Sequence, residues 1–180
     1  ISDRNTYALI DESATGSQIE GKLSLMLQNV KEGDTVYFYY NGHGVPDQKS
    51  SEAYILPSDE TVDFITRKEQ FKFSNVYKQL ESSKASKVLA VIDSCFSGRG
   101  NEGQSLFKGT AGAVVRTKKF TADEGGKVAI LTAGSESQFS NGYEAKGHRL
   151  LSYFVMRSLL EGKTSLNDIY LNSVMRVKEV

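Results

Sequence analysis

Apolar residues recur along this chain with two periods. Ile19, Leu23, Met26, Leu27 and Val30 repeat at helical spacing, which predicts an amphipathic helix over 18–30. Ser17 and Glu20 read as a capping box that opens it, and Gly33 as the left-handed residue that closes it. Residues 6–10 read as a short strand. Residues 35–40 are β-branched and aromatic throughout, which suits a buried strand. Residues 53–56 form another short strand, stopped by Pro57, and residues 73–83 a helix carrying Val76, Tyr77 and Leu80. Residues 87–93 are almost continuously apolar, as in a central parallel strand covered on both faces. Residues 100–126 are glycine-rich without a period and predict a long flexible linker. A third buried strand follows over 127–133. Helices are predicted at 147–161 and at 166–178, the latter capped by Ser165.

Strands that alternate with helices predict an α/β fold with a mostly parallel sheet. In such sheets the ligand site lies beyond the carboxyl ends of the strands. Two unusual sequences, around His43 and around Cys95, follow predicted strands at that edge.

Length and composition narrow the function. At 180 residues, against about 150 per domain, the chain is one domain. Lys and Arg total 22, as do Asp and Glu, so there is no basic excess of the kind a general nucleic-acid binder shows. The single Cys excludes an intrachain disulfide, and with only two His it cannot build a Cys/His zinc site. No apolar run approaches the ~20 residues that span a bilayer, and no signal peptide is visible. No membrane partner and no cofactor are therefore expected. The chain opens at Ile1 rather than Met, so an upstream segment is expected.

Cys95 is the only thiol. A lone Cys is often just a small buried hydrophobe, but Ser94, Ser97 and Gly98 around it suit an exposed turn. A thiolate nucleophile needs a nearby base. His43 is one candidate, set between Gly42 and Gly44, where a substrate backbone could approach closely. His148 competes, but beside Lys146, Gly147 and Arg149 it reads as a solvated helix entry.

The segments 39–44 (Tyr-Tyr-Asn-Gly-His-Gly) and 91–98 (Val-Ile-Asp-Ser-Cys-Phe-Ser-Gly) resemble the two catalytic blocks of the caspase-like cysteine peptidases. The closer likeness is to metacaspases and bacterial caspase-like proteins, which carry Asp-Ser-Cys. The spacing also suits that family, whose His lies about 50 residues upstream. A weaker likeness covers Ile55, Leu56, Pro57 and Asp59, and residues 147–162.

The resemblance implies a three-layer caspase-like fold with helices on both faces. Residues 1–99 would be large-subunit-like, 100–126 the linker and 127–180 small-subunit-like. Cys95 would be the nucleophile and His43 the general base, with the backbone amides of Gly44 and Cys95 as the oxyanion hole. Asp93 would lie on the floor of the pocket for the residue before the scissile bond (P1). A carboxylate there pairs with Arg or Lys and repels an acidic P1. With that preference, Arg116, Lys118 and Lys119 in the linker become candidate self-cleavage sites. Proteins or peptides would be the substrates.

The resemblance further implies an opening strand and helix before residues 6–10. Residues 1–5 are too short and polar to supply them. The expectation is an upstream fragment or a second chain that supplies this strand, in the middle of the sheet.

Other motifs carry less. Gly98, Gly100 and Gly103 match GxGxxG, but residues intervene after the strand and no helical period follows. No GxSxG, Walker A or HExxH sequence occurs. Many metacaspases require calcium, yet Asp59, Glu60 and Asp63 lack the ordered ligand spacing of a known loop, so no metal site is expected. The alternatives to an endopeptidase are a catalytically silent caspase-like module, disfavoured because both Cys95 and His43 are present, and a hydrolase of non-peptide acyl substrates.

Overall fold

The computed structural model describes residues 3–47, 49–50, 52–95, 126–133, 142–163 and 165–177. The first helix, α1 (Gly16–Asn29), opens slightly earlier than the periodicity predicts. Its cap is Thr15, whose hydroxyl accepts from the Gln18 N–H at 3.4 Å. The Ser17/Glu20 capping box does not form, because Glu20 accepts from Gln70 Nε2 at 2.8 Å instead. Asp59 Oδ1 takes a further orphan donor, the Gly16 N–H, at 2.8 Å. Gly33 is left-handed as expected, with φ of 92°, in the tight turn closed by Asp34 N–H to Lys31 O.

The turn leads into β1 (Thr35–Pro46), β2 (Ala53–Ile55), the single turn α2 (Val62–Ile65), α3 (Phe73–Ser82), β3 (Lys87–Cys95) and β4 (Val128–Thr132). These strands make one sheet in the order β2-β1-β3-β4. β1 pairs with β3 and β3 with β4 in parallel, while β2 runs antiparallel to β1. A two-stranded ribbon, β5 (Gly142–Tyr143) and β6 (His148–Arg149), precedes α4 (Leu150–Leu160) and α5 (Leu166–Val177). The ribbon shortens the helix expected from residue 147.

Two layers of helix enclose the sheet. Alternate residues of β3 point to opposite faces. Val88, Ala90 and Ile92 join Val36 and Val128 under α1 and α3, whose Val76, Tyr77 and Leu80 are buried. Leu89 and Val91 join Leu131 under α4 and α5, with Leu151, Val155 and Ile169. The apolar run of 87–93 is thus buried on both sides. The chain has the α/β, mostly parallel, three-layer architecture expected of it.

Residues 6–10 form no strand, contrary to expectation. A strand is a pairing of two backbones, and none of the described strands pairs with this segment. The segment is tethered to α1 by side chains instead, with Lys22 Nζ on the Ala8 carbonyl at 2.9 Å and Asn29 Nδ2 on the Tyr7 hydroxyl at 2.9 Å. An open edge lies on β1. Residues 35–43 bond to β3 on one side, but on the other only residues 44–46 pair, with β2. Over residues 35–42 that outer edge has no partner strand among the described residues.

Candidate active site

The parallel register of β1 and β3 sets Asn41 beside Asp93, Gly42 beside Ser94 and His43 beside Cys95. His43 and Cys95, expected just beyond their strands, therefore lie within them as the last rung of the β1–β3 ladder, and β1 runs on to Pro46. Adjacent strands lie about 4.8 Å apart, so the backbones of His43 and Cys95 are immediate neighbours at the sheet's carboxyl edge.

His43 is half-buried. Burial lowers its imidazole pKa from the usual value, and the Arg149 guanidinium lowers it further, so the neutral base is favoured. Its backbone is pinned. The Tyr40 hydroxyl donates to the His43 carbonyl at 2.7 Å, and the Leu56 N–H reaches that carbonyl at 3.2 Å. Burial pushes the Tyr40 phenol up to about 12, so it remains a donor. Gly42 has a different reason from the expected one. A Cβ there would lie 2.6 Å from the Tyr40 hydroxyl oxygen, so the chain's own phenol, not a substrate, fills that space.

Gly44 is buried and opposes Ile55. Leu56 N–H bonds His43 O and Asp47 N–H bonds Glu52 O. Antiparallel ladders alternate, so the Gly44 N–H turns away from β2, toward the side on which β3 ends. The same alternation lets Pro46 stand in β1, since the N–H it lacks would not face β2.

Asp93 is wholly buried at 0% exposure. Its Oδ2 accepts the Ser152 N–H at 2.9 Å and also the Ser152 hydroxyl. The Tyr39 hydroxyl in turn meets Ser152 Oγ at 2.7 Å. Ser152 stands in the first turn of α4, so Asp93 also caps that helix from a distance, where negative charge is favoured. Ser94, between Asp93 and Cys95, is 1% exposed, and its hydroxyl has no hydrogen-bond partner among the described residues.

Other expected residues lie elsewhere. His148 is exposed on β6, its ring 6.3 Å from that of Tyr153. Asp59 is spent on α1, and Glu60 pairs with Lys68. Among the described residues no three acidic, His or Cys side chains gather as a metal site, and no helix is long and apolar enough to cross a membrane. Arg116, Lys118 and Lys119 lie outside the described residues. Tyr39, Tyr40, Arg149 and Ser152 were not marked by sequence. The tyrosines read as core of an aromatic strand, and nothing local distinguishes a serine in a helix or a basic residue at its start.

The fold resembles that of protein GSU0716 from Geobacter sulfurreducens, with a TM-score of 0.63 at 18% identity over 93% of this chain and 71% of that one. No curated protein sequence matches the chain significantly. The profile of the caspase domain, a family of cysteine peptidases, matches residues 6–176 and so spans nearly the whole chain, both strand ends included. The chain belongs to the caspase-domain family of cysteine peptidases.

Proposed function

We propose that the protein is a cysteine endopeptidase that cuts after Arg or Lys with a Cys95–His43 dyad. The observation that carries this is the pairing of His43 with Cys95 on the last rung of two parallel strands. His43 takes the Cys95 proton, and the thiolate attacks the scissile carbonyl. The amides of Gly44 and Cys95 hold the oxyanion, a contribution typically worth ~10²–10³ in rate per donor. The imidazolium then protonates the leaving amine, and water hydrolyses the thioester with His43 again as base. Asp93 supplies the charge opposite a basic P1 side chain. The same preference makes Arg116, Lys118 and Lys119 candidate self-cleavage sites. Short fluorogenic peptides ending in Arg, Lys or Asp test the reading. Turnover of the first two that is lost in Cys95→Ala supports it, and turnover of the Asp peptide or of none opposes it.

The open edge of β1 supports a protein partner beside the substrate. Tyr37 and Tyr39 stand 44% and 53% exposed along it. A long aromatic edge strand is a template for pairing. A further strand from an upstream fragment or second chain completes the sheet there.

A further inference from the structure

We infer that Ser152 is a positioning residue for P1 recognition, with Tyr39 behind it, an inference that rests on the reading of Asp93 as the P1 carboxylate. Ser152 gives both its donors to one oxygen of Asp93, the N–H at 2.9 Å and the hydroxyl. A serine hydroxyl has one proton, already directed at Asp93. The Tyr39 hydroxyl must therefore be the donor in its 2.7 Å contact with Ser152 Oγ. The chain is polarised in one sense, from Tyr39 through Ser152 to Asp93.

This arrangement fixes the plane of the carboxylate. Two donors on one oxygen at a helix N-terminus are charge-assisted and directional. Ser152 is 2% exposed, so no water replaces its hydroxyl cheaply if the contact is broken. The three groups come from β1, β3 and α4, that is, from both halves of the domain. The acidic wall of the P1 pocket therefore depends on how α4 is seated, and specificity is set from a helix that carries neither dyad residue.

The test measures kcat and KM on peptides ending in Arg and in a neutral residue. The variants are Ser152→Ala, Ser152→Thr, Tyr39→Phe and Asp93→Asn. Ser152→Ala should lower the Arg-over-neutral ratio of kcat/KM about tenfold, chiefly through KM. Ser152→Thr, which keeps the hydroxyl, should restore it. Tyr39→Phe should lower it about threefold. An unchanged ratio in Ser152→Ala beside a collapsed ratio in Asp93→Asn overturns the inference and leaves the P1 assignment standing. An unchanged ratio in Asp93→Asn overturns the P1 assignment itself. If Ser152→Ala does not fold, the half-exposed Tyr39→Phe decides, and an unchanged ratio there counts against the inference.

Discussion

Tyr40 bonds a residue of its own strand, its hydroxyl 2.7 Å from the carbonyl oxygen of His43 and directly above Gly42. The hydroxyl also accepts from the Leu56 N–H at 3.4 Å. The phenol thus bridges β1 and the end of β2, and the glycine makes room for it. Tyr40→Phe should cost about 1 kcal/mol of stability, as one part-buried hydrogen bond, and reduce turnover several-fold by loosening His43. Gly42→Ala should do more on both counts, because its methyl displaces the phenol. Urea unfolding and kcat on an Arg peptide measure the two effects. A Gly42→Ala protein as active and stable as wild type would refute the packing argument.

Protonation of His43 couples to folding. Burial and then Arg149 hold its folded pKa below the usual 6.5, so the unfolded chain binds more protons in that window. This residue's contribution to stability should therefore be lost as pH falls below about 6.5. Arg149→Gln should raise the midpoint but not restore it fully, since burial is the larger cause. An NMR titration of the imidazole reads both, and a midpoint unmoved by Arg149→Gln would show that the cation does not act there.

The Ser94 hydroxyl is buried without a partner among the described residues, a state that usually costs about 1–3 kcal/mol. Ser94→Ala should therefore leave the melting temperature unchanged or raise it, unlike most core substitutions. A clear fall in thermal stability would reveal a partner that forms in solution.

Strand alternation makes the open edge measurable. With the Gly44 N–H on the β3 side, the N–H groups of Phe38 and Tyr40 also face β3, and those of Tyr37, Tyr39 and Asn41 face the open edge. Hydrogen exchange in the chain 1–180 should be fast at Tyr37, Tyr39 and Asn41 and slow at Phe38 and Tyr40. Addition of the proposed strand should protect the first set. Slow exchange at all five in the isolated chain would mean that the edge is already paired.

What the sequence made legible was whatever depends on neighbours along the chain. The apolar run over residues 88–92 is typical of a strand covered on both faces, and Leu89 and Ala90 do face different cores. The period of α1 fixed its inward side. The Ser17/Glu20 pattern misled because Thr15, Asp59 and Gln70 were equally able to satisfy those groups, and two of the three are distant in sequence. Residues 6–10 had the composition of a strand, but a strand is a relation between two backbones. The segments around His43 and Cys95 stood out because their local sequences are unusual. Ser152 and Arg149 did not, since their roles arise only when α4 is brought against β3.

Cohesion across the linker follows from the position of β4. It lies against β3 along Val88 to Ile92, while α4 and α5 roof the same strand, and Ser152 grips Asp93. A cut anywhere between β3 and β4 would sever connectivity without parting the pieces. Denaturing gels would show two bands where native sizing shows one body. Cleavage there would then change the connectivity of the chain without releasing a fragment.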